Sequence, residues 1–344
     1  VENKNNVFLN ACFRKPTGYT PVWLMRQAGR YMKEYRAIRE KLPFMDMVKA
    51  PDVAAEVTLQ PVDILGVDAA ILFSDILVPL EPMGIQLEYT KGEGPVIHNP
   101  VRSRRDIEAV RIFEPQEDVP FVPEAIRKVQ RALNGRVPLI GFAGAPFTLA
   151  SYMIEGGAAR NFIHTKKLMY QEPEAWNLLM SRITEVTVRY LNSQIDAGVQ
   201  AVQLFDSWLG CLSPHDYAEF VLPHTRRVFQ QLKKGVPAIH FATGTAALLE
   251  LMQQAGGDVI GVDWRVDLGN AWERIGHAVG IQGNLDPVVL FAPTPVREAQ
   301  VKRILAAAEQ RPGHIFNLGH GILPETPVEN VASLVAMVHE FSQR

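Results

Sequence analysis

The chain has 344 residues, 47% of them hydrophobic, and its 35 Lys+Arg against 37 Asp+Glu leave a formal net charge of −2. That size accommodates one large α/β domain or two smaller ones and excludes a disordered chain, while the charge balance argues against nonspecific nucleic-acid binding or attraction to a membrane surface, so recognition of anions has to be local. Cys12 and Cys211 are the only cysteines, with no CxxC or Cys/His ladder, which excludes a disulfide scaffold and most structural zinc sites and suits a reducing compartment.

No secretory signal pattern opens the visible chain. The first apolar run, VWLM (22–25), turns abruptly basic: Arg26, Arg30, Lys33, Arg36 and Arg39 follow with only Glu34 to offset them. If helical, Arg26, Arg30 and Lys33 share one face. A solvated basic face is the bland reading. Coming directly off a strand end, though, these guanidinium groups suit two-pronged binding of carboxylate or phosphate. A helical stretch over 51–65 precedes the second run, DAAILF (68–73), which ends in Ser74–Asp75. Asp75 lies between apolar residues, where an ionised carboxylate needs a partner. Either it pairs structurally with an arginine such as Arg26, or it faces a cation or N–H donors on a ligand.

Residues 79–120 break into Pro/Gly-punctuated pieces with a hairpin at IQLEYT…GEGPVIH. After a helix over 122–133 comes PLIGFA (138–143). It sits in the longest uncharged stretch, 137–154, whose prolines and glycines mark a buried strand running into a loop, not a membrane span. Gly144, Thr148 and Tyr152 follow, then Gly156–Gly157, a hinge signal. Tyr152 either packs against the rim or donates one phenolic hydrogen bond.

A helix over 167–197 leads to AVQLF (201–205), followed by Asp206 and Ser207; the serine lacks the GxSxG elbow of a hydrolase nucleophile and reads equally as a cap. Phe205 and Trp208 read as packing. Then alternate helix 215–234, strand AIHFA (238–242), helix 245–254, strand VIGVD (259–263), helix 269–279, strand IQGNL (281–285), helix 294–310, strand HIFNL (314–318) and helix 327–341. Asp263, Asn284 and Asp286 close two of these strands. His320 stands in a Gly-His-Gly after the last, where the backbone can pass close to a ligand.

Eight alternations of strand and helix predict a single (β/α)8 TIM-type barrel over residues 1–344, with the hairpin as an excursion after the second strand. A doubly wound open sheet is the competitor, weakened by the lack of a GxGxxG turn after the first strand. In a barrel, functional groups gather where strands end, so Arg26, Gln27, Arg30, Asp75, Tyr152, Ser207 and His320 converge on one rim, although Asp and Ser there also serve as helix caps.

PVWLMRQAGR (21–30) and GFAGAPFTLASYMIEG (141–156), with AAILFSDILVPLEPMG, QLFDSWLG and NLGHGI in order, resemble the signature segments of the uroporphyrinogen decarboxylase family. Lys33 stands where many members carry proline. The resemblance implies a (β/α)8 barrel paired as a homodimer, without cofactor or metal. It implies removal of four carboxyl groups from uroporphyrinogen to give coproporphyrinogen in heme and chlorophyll synthesis, in a cytoplasmic (or plastid) setting. The family's active-site positions fall on Arg26, Arg30, Asp75, Tyr152, Ser207 and His320, with Gln27, Arg39 and Phe205 as further lining residues; Asp75, Arg26 and Tyr152 are the catalytic candidates. A substrate with eight carboxylates would explain a local arginine cluster on a neutral protein, each charge-assisted hydrogen bond contributing roughly 1.5–3 kcal/mol.

Two rivals stand beside it. A zinc-dependent corrinoid or thiol methyltransferase of the same superfamily needs a His-x-Cys pair, and AIHFATG offers His240 but Ala242 in the thiolate's place. A catalytically silent porphyrin-binding protein would not need every active-site position filled.

Overall fold

The computed structural model describes residues 4–90 and 94–344. Nine strands occur among them: β1 (Ala70–Ile71), β2 (Leu87–Thr90), β3 (Gly94–Ile97), β4 (Leu139–Gly144), β5 (Ala201–Asp206), β6 (Ala238–Ala242), β7 (Val259–Gly261), β8 (Gly280–Gln282) and β9 (His314–Ile315). Seven form one parallel sheet in the order β1-β4-β5-β6-β7-β8-β9, while β2 and β3 pair antiparallel by themselves. The hairpin's turn, residues 91–93, lies outside the described residues.

Residues 21–25 supply the eighth stave. Phe316 N–H donates to the Pro21 carbonyl at 2.8 Å and Asp68 N–H to the Val22 carbonyl at 2.8 Å, joining both ends of the sheet. The buried Asp68 carboxylate fixes this seam, accepting from Val22 N–H (2.8 Å) and Tyr19 Oη (2.9 Å) and contacting His339 Nε2 (2.7 Å). The expected barrel is therefore observed, with ladder segments shorter than the apolar runs that announce them.

Side-chain alternation along the staves divides the core in two. Trp23, Ile140, Ala201, Ile239, Phe241, Val259 and Ile315 fill the barrel interior, together with Phe8, Ala11 and Cys12 of the helix Lys4–Cys12. Across that interior Trp23 Nε1 donates to Gln282 Oε1 (2.9 Å), and Gln282 Nε2 to Gln203 Oε1 (3.0 Å). The outward residues pack under amphipathic helices. In Phe121–Leu133, for example, Val122, Ala125, Ile126, Val129 and Leu133 share the buried face.

Two predicted helices are each two. Glu172 separates Ile163–Gln171 from Pro173–Ala197 and Val221 separates Pro214–Phe220 from Leu222–Gln231, with Pro173 and Pro223, which lack an N–H, in the first turn of each second helix. No helix among the described residues is long and apolar enough to cross a membrane.

Candidate active site

The barrel interior is filled by side chains, so chemistry is confined to the loops at the C-terminal ends of the staves. Around that rim the order of staves is β1, residues 21–25, β9, β8, β7, β6, β5, β4.

The basic run is not one helix. Residues 26–32 form turns, and the helix is only Lys33–Arg39, so Arg26, Arg30 and Lys33 do not share a helical face. The cause is local. Gln27 is buried and folds back, Oε1 accepting from Leu24 N–H (3.1 Å) while Nε2 donates to the Ala69 carbonyl (3.0 Å). Tyr31 Oη then donates to the Gln27 carbonyl at 2.6 Å. Its amide is thus spent on the turn, a different position from the cleft lining expected of it.

This turn holds Arg26 at a φ of 59°, the left-handed region that non-glycine residues adopt under constraint. The side chain lies across Gly321: a Cβ there would fall 2.4 Å from Arg26 Cδ and 2.9 Å from its Nε. A Cβ at Gly319 would fall 2.3 Å from Trp264 N. The two glycines around His320 thus make room for protein neighbours, the Arg26 side chain and the Trp264 backbone, where the sequence suggested close approach by a ligand.

Asp75 sits beyond β1, half-buried, its Oδ1 accepting from Leu77 N–H at 2.8 Å to start the short 3-10 turn Val78–Leu80. Burial raises its pKa above the usual carboxylate range, opposed by the Leu77 N–H, the Tyr89 phenol and the Arg26 guanidinium, in that order. Asp75 and Arg26 make no ion pair among the described residues, so the purely structural pairing is absent. Arg26 feels the carboxylate while its donors stay exposed.

Tyr152 stands on the helix Pro146–Glu155 with its ring 5.7 Å from that of Trp208. Burial, then the charge of Asp75, push its phenol up to about 12, so at neutral pH it is a donor. His320 is pushed below its ordinary value by burial and then by the Arg26 and Arg265 charges, which keeps it a neutral imidazole near pH 7. Arg26, Asp75, Tyr152 and His320 therefore form one electrostatically connected group. Phe205 contributes an aromatic floor, its ring 5.5 Å from Phe142 and 5.8 Å from Phe241. Ser207 follows β5 directly, half-buried, its carbonyl accepting from Thr243 Oγ1 at 2.7 Å.

Arg30 and Arg39 are exposed further out, where their charges act on the Tyr35 phenol. The glycine pair 156–157 ends the Tyr152 helix and lets the hairpin dock: Ile97 N–H donates to the Gly156 carbonyl at 2.8 Å, and a Cβ at Gly157 would meet the Pro95 carbonyl oxygen at 2.8 Å. Their job here is a helix stop and a close approach, where the sequence suggested a hinge.

Two neighbours of the site escape the sequence reading. Tyr89 comes from β2 of the docked hairpin, and its hydroxyl, buried without a full hydrogen bond, lies against Asp75, whose charge raises the phenol's pKa further. Leu87 and Tyr89 alternate with Glu88 and Thr90, a period-two signal that marks an inward face but not a site. Arg265 lies two residues past the strand-end acid Asp263, and its pairing with that acid depends on the loop's conformation, which leaves no mark in the sequence.

The profile of the uroporphyrinogen decarboxylase (URO-D) family matches residues 3–341. The chain is 62% identical to the uroporphyrinogen decarboxylase of Carboxydothermus hydrogenoformans over 339 residues, covering 98% of this chain and 97% of that one. It is 57% identical to that of Sorangium cellulosum over 335 residues, covering 97% and 96%. Among solved structures, a methyltransferase from Methanosarcina mazei superposes with a TM-score of 0.81 at 21% identity, covering 98% of this chain and 99% of that one, a likeness of fold alone. Relatives more than half identical over nearly every residue, and a family profile matching from end to end, establish that the chain belongs to the uroporphyrinogen decarboxylase family.

Proposed function

We propose that this protein removes the four acetate carboxyl groups of uroporphyrinogen to give coproporphyrinogen in tetrapyrrole synthesis, as a single catalytic domain over residues 1–344. The observation that carries the reading is the Asp75 carboxylate, half-buried at the rim and in no ion pair among the described residues, beside Arg26 and Tyr152. Loss of CO2 from a pyrrole acetate would leave a carbanion without an electron sink. Protonating the pyrrole ring first supplies one: the C–C bond breaks, its electron pair flows into the cationic ring, CO2 departs, and a second proton completes the methyl group while the ring returns the first. The intermediate is a buried cation, which a fixed anion stabilises most effectively where water is scarce. Asp75 accepts hydrogen bonds from the pyrrole N–H groups and offsets that charge. The pyrrole as its own sink makes a resident cofactor or metal unnecessary.

Arg26 holds an acid arm of the substrate beside Asp75. Its planar fork suits it to grip a carboxylate, and the role assigned to it is that of anchor. Tyr152, Ser207 and His320 donate to or position the remaining carboxylates, Phe205 underlies the ring, and Arg30 and Arg39 draw the polyanion in from the outer slope. Gln27 acts through the turn that aims Arg26. Two free cysteines, Cys12 and Cys211, fit the reducing cytoplasm we assign, and we assign a homodimer on the family likeness.

Incubation with freshly reduced uroporphyrinogen, followed by counting of carboxyl groups, tests the activity. A tetracarboxylate product is expected; octacarboxylate recovered unchanged overturns it in favour of a silent binder. Arg26→Ala should lower kcat/KM by about 10–100-fold, the loss of one charge-assisted contact of roughly 1.5–3 kcal/mol. Unchanged kcat/KM would remove the anchor. The methyltransferase reading loses its remaining support at His240, whose ring packs 5.2 Å from Phe229 on the outward side of β6, away from the rim.

A further inference from the structure

Past β7, a buried acid holds an arginine out over the rim. Asp263 is only 2% exposed, and its Oδ2 accepts from Gly244 N–H (2.7 Å) and Arg265 Nη1 (2.5 Å) while Oδ1 accepts from Arg265 N–H (3.0 Å). The Arg265 guanidinium is stacked 4.0 Å above the Trp264 ring, and that ring lies edge-on to His320 with centroids 6.3 Å apart. The group is thus fixed on two sides, by a carboxylate and by an aromatic face.

What remains open is the useful part. Nη1 is occupied, and the side chain makes no other hydrogen bond among the described residues. The Nε–Nη2 edge, which grips a carboxylate with two parallel bonds, is therefore unclaimed. Arg265 is half exposed, its side chain at 52%, so that edge is reachable. Its charge acts on His320, as does that of Arg26. In the order of staves, β9 and β8 separate residues 21–25 from β7, so His320 lies between the two arginines along the rim.

We propose that Arg265 is a second carboxylate anchor, gripping an acid arm of the substrate on the opposite flank of His320 from Arg26. The proposal rests on the reading of the substrate as a macrocyclic polycarboxylate. A flexible ring clamped by a guanidinium fork only at Arg26, with neutral donors on its other arms, could rock about that point. A second fixed fork several staves away removes the pivot, and a side chain already immobilised by Asp263 and Trp264 loses little further freedom on binding.

The test compares Arg265→Gln and Arg265→Lys with the unsubstituted enzyme, by turnover of reduced uroporphyrinogen and by its quenching of protein fluorescence at equilibrium. Arg265→Gln is expected to bind about tenfold more weakly, to raise KM by a similar factor and to leave kcat within about twofold. Arg265→Lys, which keeps the charge but loses the fork, should fall between. A role confined to bracing residues 263–265 would instead lower Tm and kcat in both variants with equal affinity. Affinity of Arg265→Gln equal to that of the parent protein overturns the anchor, whether or not the protein turns the ring over. Tight binding by the parent without product overturns the decarboxylase reading and leaves the anchor to be judged by the titration; no binding by the parent overturns both.

Discussion

Two aspartates stand at strand ends on the same rim, each beside a serine, and they differ in almost everything else. Ser74–Asp75 follows β1 in a loop; Asp206–Ser207 closes β5. Asp206 is still a ladder residue, in register with Ala242. Since Phe205 faces the aromatic floor, alternation turns Asp206 toward the helix layer. There it is wholly buried, Oδ1 accepting only from Thr148 Oγ1 (2.7 Å) and Oδ2 without a partner. Asp75 lies past the ladder, free of the alternation, and its loop turns it toward Arg26 and Tyr89. Lying beyond the ladder or within it separates an acid that can meet a ligand from an acid that cannot.

The largest effect should come from breaking the first of the pair. Asp75→Asn keeps size and hydrogen-bonding atoms but cannot offset a cation, so turnover should fall about 10²–10³-fold or more with thermal stability retained. Near-parental turnover in a correctly folded Asp75→Asn would end the role assigned to this carboxylate.

Asp206 should answer to pH in stability instead of activity. Burial pushes its carboxyl up to about 7 from an ordinary 3.8. Between those values the native state holds a proton that the unfolded chain has released, so native stability is greatest at the acid end and falls as pH rises toward 7. The fall amounts to on the order of 2–4 kcal/mol. Asp206→Asn cannot titrate and should lose that downward slope, which a series of melting curves from pH 4.5 to 8 would show. Curves parallel to those of the parent protein would mean that Asp206 is ionised and satisfied in the fold.

The contrast also shows what the sequence could carry. Eight apolar runs were enough for the barrel, and strand-end logic was enough to gather Arg26, Asp75, Tyr152 and His320, because both follow from periodicity and from where a filled barrel can be open. Conformation inside loops was not legible. Nothing in RQAGR announces that Gln27 spends its amide on Leu24 and Ala69, which breaks the supposed helix and sets the direction of Arg26. Helix breaks at Pro173 and Pro223 were visible as prolines, yet strong amphipathic patterns on both sides masked them. Tyr89 was hidden for another reason: it reaches Asp75 through docking of the hairpin on Gly156–Gly157, a contact between segments some sixty residues apart.

Tyr89 offers the smallest and sharpest separation of the two acids. Its phenol faces Asp75 and is one of the three influences that hold the raised carboxyl down. The role proposed for Asp75 needs its carboxylate ionised, so kcat/KM should fall on the acid side as pH drops through the Asp75 pKa, at a pH above the ordinary carboxylate value of about 3.9. Tyr89→Phe removes a donor that favours the ionised form. The Asp75 pKa must then rise, and the acid limb must move toward neutrality. On the alkaline plateau of its own pH profile, the variant should lose only a few-fold in rate, about the worth of one neutral hydrogen bond. Asp206 does not contact Tyr89, so the slope of stability with pH should stay where it was. A limb that moves to lower pH, or a stability slope that changes with it, would show that the two carboxylates are not the independent pair their surroundings describe.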